Sequence, residues 1–111
     1  MTEAKIQYQI CEYLQLRRLY FFSIANEAAG RSRIAQMQLV SMGLRAGVAD
    51  LEVWLPDGVT LYLEVKTATG RQSPRQKKFQ ERCEQHGRAY HIVRSVEDVE
   101  RVLAECSAWH K

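Results

Sequence analysis

Asp50, Glu64 and Lys66 are the residues whose types and spacing most directly offer chemistry. They flank an alternating stretch: Leu51, Val53 and Leu55 alternate with Asp50, Glu52 and Trp54, and Leu61, Leu63 and Val65 alternate with Tyr62, Glu64 and Lys66. Period-two alternation predicts two half-buried strands. Pro56-Asp57-Gly58 between them predicts a three-residue hairpin loop, with Pro56 at the first corner of a type I turn and Gly58 in the left-handed position. Such a loop sets Leu55 across from Val59, Leu51 across from Leu63 and Asp50 across from Glu64. The apolar set then shares one face, and Asp50, Glu64 and Lys66 share the other, with opposed Cβ atoms roughly 5 Å apart. Two opposed carboxylates repel unless something sits between them, and oxygen ligands of this kind suit Mg²⁺ or Mn²⁺. The same spacing also fits a surface hairpin with solvated charges, and Lys66 also fits a plain salt bridge to Glu64 or Asp50. Alternation alone leaves these readings open.

The elements that must position these residues follow in chain order. Thr2 caps a first helix expected to reach about Arg18, with Ile6, Ile10 and Leu14 as its apolar stripe, flanked by Cys11 and Tyr13. Glu3 and Gln7 fall on that same face. A Glu there is unusual unless it is paired, hydrogen-bonded or metal-bound, although a first-turn acid also complements the helix dipole while solvated. Leu19 to Ile24 reads as an aromatic-rich strand that ends at Ala25-Asn26-Glu27. Arg31-Ser32-Arg33 opens a second helix that reaches Met42 and stops at Gly43. Ile34, Ala35, Met37, Leu39, Val40 and Met42 cover more than one of its faces, which implies either deep burial or a partner surface. Ser73 and Pro74 start a third helix that runs to about His86 and ends at Gly87. Phe79 and Cys83 form its buried stripe, Gln76 shares that face, and Arg75, Lys78 and Arg82 form a separate basic stripe. Ala89 to Arg94 is the last strand. Ser95 caps a final helix with Val96, Val99, Leu103 and Cys106 inward, and Trp109 is placed to close over the core. This order implies a mixed sheet with helices packed on it.

The 111 residues fit one domain, residues 1–111, with one core. No apolar run spans a bilayer and the N-terminus lacks a secretory pattern, so the expectation is a soluble, intracellular protein. The three cysteines, Cys11, Cys83 and Cys106, are widely spaced and make no zinc or redox pair. Each falls in a helical apolar pattern, so buried and reduced is the expected state. His86, His91 and His110 also lack metal-ligand spacing. The net charge of +3 allows a nucleic-acid partner without demanding one. Arg31, Arg33, Arg71, Arg75, Lys77 and Lys78 suit phosphate contacts that position DNA without reading bases, although each taken singly also reads as a solvated charge. Asn26 and Glu27 fit either a loop turn or the outer part of a site.

Asp50 followed by Glu64-Val65-Lys66 looks like the D…(D/E)xK signature of PD-(D/E)XK nucleases. Glu3, Asn26-Glu27, Arg31-Ser32-Arg33, Gly43, Gly47-Val48-Ala49-Asp50, Glu64-Val65-Lys66 and Ser73-Pro74-Arg75-Gln76 recur in order. This ordered set resembles the VRR-NUC domain, the virus-type replication and repair nuclease, and it runs from Glu3 to the last helix, as in a stand-alone copy. Ala49 stands where the family often has Pro, and Gln72 where an apolar residue is common. The resemblance implies an α/β fold with a restriction-endonuclease-like PD-(D/E)XK core, a mixed central sheet flanked by helices. It implies Asp50, Glu64 and the backbone carbonyl of Val65 as ligands of Mg²⁺ or Mn²⁺, with Glu3 contributing from the first helix and Gln76 approaching from the helix after the sheet. Lys66 would position water or stabilise charge. Asn26 joins the basic residues as a DNA-contact candidate. The implied activity is a metal-dependent, structure-specific endonuclease of DNA repair. Its substrate would be branched DNA, with four-way junctions resolved by a homodimer in the cytoplasm of a bacterium or phage-infected host. Flap or general DNA cleavage, a catalytically silent DNA-binding module and a protein-binding adaptor using the 34–42 helix are the alternatives.

Overall fold

The hairpin that carries Asp50 and Glu64 forms the middle of a four-stranded sheet. The computed structural model describes residues 1–24 and 31–106; Asn26, Glu27, Trp109 and His110, named above, lie outside the described residues. Strands β1 (Tyr20–Ser23), β2 (Leu51–Leu55), β3 (Val59–Val65) and β4 (Ala89–Val93) lie side by side in chain order. β1 and β3 run antiparallel to β2, and β4 runs parallel to β3. Helices α1 (Glu3–Leu16), α2 (Arg33–Ser41), α3 (Pro74–Gln85) and α4 (Val96–Glu105) complete the order α-β-α-β-β-α-β-α expected from the sequence. The parallel step from β3 to β4 needs a crossover connection, and α3 supplies it.

The hairpin has the expected register, with Leu55 opposite Val59 and Leu51 opposite Leu63. Its loop differs in detail. Asp57 joins Gly58 in the left-handed region, at φ 63° and 75°, and the N–H of Val59 bonds the carbonyl of Pro56. A type I turn with one left-handed residue is therefore the wrong geometry for this loop. Asp-Gly tolerates two positive φ angles in succession, and that twist suits antiparallel strands.

One face of the sheet holds the core. Leu51, Val53, Leu55, Leu61, Leu63, Val65 and Val93 pack there against Ile6, Ile10 and Leu14 of α1 and Val99 and Leu103 of α4, all of them buried. Thr2 caps α1 by accepting from the N–H of Lys5, and α1 ends at Leu16, two residues before the expected Arg18. Arg18 instead takes a left-handed φ of 58° that turns the chain into β1. Of the three cysteines, all free, only Cys83 is buried; Cys11 and Cys106 sit half-buried at the margin of the core.

The opposite face is covered by α3 over β3 and β4, where Phe79 meets the rings of Tyr62 and Tyr90 edge-on at 5.4 and 5.8 Å. The chain then reaches Asp50 through a tight approach. Gly47, at φ 85°, lies so close to the first turn of α3 that a Cβ there would stand 2.6 Å from the carbonyl carbon and oxygen of Arg75. Backbone on backbone cannot yield as a side-chain tip can. Ala49, the next residue but one, is fully buried, so the segment is pinned on both sides before Asp50.

Gly47→Ala is expected to destabilise the protein by at least ~1–2 kcal/mol from the left-handed backbone alone, with the clash against Arg75 added. Thermal unfolding checks this; a melting temperature equal to the parent's would show that the loop and α3 can separate freely.

Candidate active site

β3 presents Glu64 on the face away from the core, at the end of the strand where β2 begins. Its side chain is 1% exposed and that of Lys66 is 7% exposed; they are the buried charged residues of the described chain. Asp50 precedes β2 directly. Its Oδ2 accepts the N–H of Val65 at 2.8 Å, so the carboxylate is held against the very end of β3. In a strand, the N–H and C=O of one residue point to the same edge. The Val65 carbonyl therefore faces the Asp50 side as well, as the resemblance requires of a ligand.

The electrostatics record how close the two acids are. Burial, and then the hydrogen bond and charge of Asp50, push the Glu64 carboxyl pKa up to about 8. The Lys66 ammonium pulls it down and the Glu3 carboxylate adds a smaller push upward. Lys66 forms no ion pair with either acid among the described residues, so its charge reaches Glu64 through space and the plain salt-bridge reading does not hold. Without a proton or a cation, two carboxylates in this position are unfavourable. That is the chemistry of a donor set suited to a hard divalent ion.

Gln76 completes the pair from above. Ser73 caps α3 by accepting the Gln76 N–H at 3.2 Å, and Gln76 returns its Oε1 to the Ser73 N–H at 2.8 Å. With Oε1 engaged in this capping box, the amide group has its nitrogen free on the other side, and Nε2 donates to Glu64 Oε2 at 3.1 Å. Helix capping thus fixes which end of Gln76 meets the acid. Glu3 is exposed at the start of α1 and acts on Glu64 as a charge. No group of three acidic, His or Cys side chains gathers among the described residues; Asp50 and Glu64 are the acids that meet at the end of β3.

The basic candidates divide. Arg75 and Lys78 line a hollow of about 440 Å³ together with Arg45, Val48, Phe79 and Arg82, between the loop before β2 and the exposed side of α3. Arg33 and Arg75 line a second hollow, about 540 Å³, with Met37, Val40 and Leu44. Arg31, Arg71 and Lys77 are exposed and line neither, and Asn26 lies outside the described residues. Sequence reasoning missed Arg45 as a member of the basic group. The available signal was its place three residues before Val48 in the loop that leads into Asp50. It also missed Tyr90, whose hydroxyl lies 3.5 Å from Glu64 Oε1.

A family model, the VRR-NUC domain, matches residues 1–97. Among solved structures, one titled "VRR_NUC domain protein" superposes with a TM-score of 0.76 at 18% identity, covering 95% of this chain and 87% of that one. Another, titled "VRR_NUC domain", superposes with a TM-score of 0.67 at 23% identity, covering 95% of this chain and 98% of that one. No curated protein matches.

The Glu64 shift has a signed consequence. A carboxyl whose folded pKa is raised from 4.5 to about 8 contributes stability that is fully present below 4.5 and lost as pH rises through about 8. Metal-free protein should therefore lose melting temperature steadily across that interval. Glu64→Gln should flatten the loss, because an amide does not titrate. An unchanged slope in the variant would assign the pH dependence to other groups.

Proposed function

The chain belongs to the VRR-NUC family, a nuclease-type domain with an α/β, restriction-endonuclease-like core, and from that premise we propose that it is a metal-dependent endonuclease that hydrolyses phosphodiester bonds in branched DNA. One observation carries the reading: Asp50 and Glu64 are driven together at the end of β3, with Lys66 on the same face two residues on. Asp50, Glu64 and the carbonyl of Val65 would hold Mg²⁺ or Mn²⁺, with Glu3 contributing charge from α1. When bound, the ion supplies Lewis-acid polarisation of the phosphodiester and offsets its developing charge.

The protein groups do the rest. Asp50 stays fixed by the Val65 N–H, and Gln76 holds Glu64 by Oε2. Lys66 places a fixed positive charge beside the scissile group, where it orients the attacking water and stabilises negative charge built up in the transition state. Arg75 and Lys78, with Arg45 and Arg82, form a basic hollow beside the loop that carries Asp50. Their role is to hold the phosphate backbone, with Arg31, Arg33, Arg71, Lys77 and Asn26 extending the track. Such contacts set register and carry no sequence information.

Assembly is read from α2. Ile34, Met37, Val40 and Met42 are 72%, 63%, 52% and 82% exposed, so the helix does not pack into its own core and deep burial is excluded for these residues. An apolar helix face of this breadth suits a second copy of the chain. Two copies related by a two-fold axis match the symmetry of a four-way junction, whose resolution needs two cuts. The described residues contain no helix long and apolar enough to cross a membrane. The three free cysteines suit a reducing compartment such as the cytoplasm of a bacterium or phage-infected host.

Asp50→Ala, Glu64→Ala and Lys66→Ala should each lower plasmid nicking about 10²-fold or more while junction binding at low salt survives. Cleavage by purified Asp50→Ala protein at the parent's rate would remove that residue from the mechanism. Binding without cleavage by the parent protein, in Mg²⁺ and in Mn²⁺, would leave a DNA-binding module.

Light scattering should give a dimer mass that Met37→Glu reduces to a monomer. In a panel of four-way, flap, nicked and linear substrates, the four-way junction should be cut fastest. A monomeric parent that cuts all four equally would refute both the dimer and the substrate.

A further inference from the structure

Glu64 has a second donor that the ordered motif does not include. The hydroxyl of Tyr90 lies 3.5 Å from Glu64 Oε1, while Gln76 Nε2 donates to Oε2 at 3.1 Å. The direction of the Tyr90 contact is set from behind. Gln72 donates its Nε2 to the Tyr90 oxygen at 3.1 Å and to Gln80 Oε1 at 2.9 Å. The phenol oxygen is thus occupied as an acceptor, and its own hydrogen is left to point at Glu64. Gln72 is the position where the chain departs from the apolar residue common in the family. Here a polar side chain has two partners, and one of them touches the buried acid.

We propose that Gln72 and Tyr90 form a positioning arm that holds Oε1 of Glu64 in the orientation that receives the metal ion, opposite the arm formed by Ser73 and Gln76. The inference rests on the reading of Glu64 as a metal ligand. Each oxygen of Glu64 then faces one donor whose direction is fixed by another hydrogen bond. Together the two donors disfavour rotation of the carboxylate about its last torsion. At 3.5 Å the Tyr90 contact is long for an O–H···O bond, so it contributes orientation more than binding energy. Partners that orient a ligating carboxylate in this way typically change metal affinity 10–100-fold when removed. Phe79 of α3 packs edge-on against the Tyr90 ring at 5.8 Å and keeps it in place. Tyr90 does not touch substrate; it acts through Glu64.

Tyr62 provides an internal control. It pairs with Tyr90 in the sheet and packs edge-on against the same Phe79 ring at 5.4 Å, but after burial the acid that raises the pKa of its hydroxyl is Glu52, not Glu64. The experiment is calorimetric titration of metal-free protein with Mn²⁺, without DNA, together with thermal unfolding of each variant. Tyr90→Phe should raise the Mn²⁺ dissociation constant about tenfold, and Gln72→Ala should raise it in the same direction by less. Tyr62→Phe should leave it at the parent's value. Equal affinity in the parent and in Tyr90→Phe would overturn the arm while leaving the metal site intact. So would an equal loss in Tyr90→Phe and Tyr62→Phe, which would show that the loss is not specific to the hydroxyl that faces Glu64. If Tyr90→Phe fails to fold, Gln72→Ala decides, because it keeps Tyr90 whole and removes the bond that directs its hydroxyl: unchanged Mn²⁺ affinity there overturns the arm. A parent protein that takes up no Mn²⁺ would overturn the metal reading and this inference together.

Discussion

The structure depends on one unfavourable contact held in place. Asp50 and Glu64 come together where β2 starts and β3 ends, and burial denies Glu64 the water that would normally dissipate its charge. A fold tolerates such a pair only where the surrounding bonds leave it no escape. The Val65 N–H anchors Asp50 and the capping box of α3 anchors the partner of Glu64. The repulsion is relieved when Glu64 keeps its proton, which is why its pKa stands at about 8; in the proposed metal site, a cation would take the place of that proton.

The elements around the pair serve more than one purpose at once. The Ser73-Gln76 box satisfies two orphan donors at the start of α3, and the same geometry leaves Gln76 Nε2 directed at Glu64. The close approach of Gly47 to Arg75 brings the loop before Asp50 onto that same helix turn. Loop, strand and helix therefore meet within one small region. A shift of α3 would move Gln76, Arg75 and the lead-in to Asp50 together. The basic hollow between Arg45 and Arg82 is a by-product of the same packing, because the loop and the exposed side of α3 must lie close for Gly47 to touch Arg75.

The parts legible in the sequence were those encoded within a few residues of one another. Period-two alternation and the Pro56-Asp57-Gly58 loop were enough to place Leu51 opposite Leu63, and hence Asp50 beside Glu64. Helix phase put Gln76 on the face of Phe79 and Cys83, and Ser73-Pro74 marked where that helix starts. Tyr90 was not legible. Its place depends on the register of β4 against β3, which no turn connects, and a parallel pair joined through a helix leaves no local signal of alignment. Gln72 stood out only as a departure from the family pattern, because its bond to Tyr90 spans 18 residues and has no local signal. The exposure of α2 was the opposite case. The breadth of its apolar pattern was visible, but a pattern that wide is equally consistent with burial, and only the packing of the other helices shows that no core remains for it.

The position of the site follows from how the two sheet faces are used. α1 and α4 cover the core face over Leu51, Val53, Leu61, Leu63, Val65 and Val93, all of them buried, and that part of the face is apolar. α3 covers the other face only over β3 and β4, and its first turn stands above the end of β3. Asp50, Glu64 and Gln76 gather where that cover begins, deep enough for burial to strengthen their interactions. Further along the same face, Tyr20, Phe22 and Trp54 are not covered by the described residues and lie in contact with one another. A carboxylate pair placed among them would be solvated and ordinary, whereas the same pair under the first turn of α3 has a carboxyl that binds its proton near neutrality. The chemistry is set by where α3 starts, and that start is fixed by Ser73.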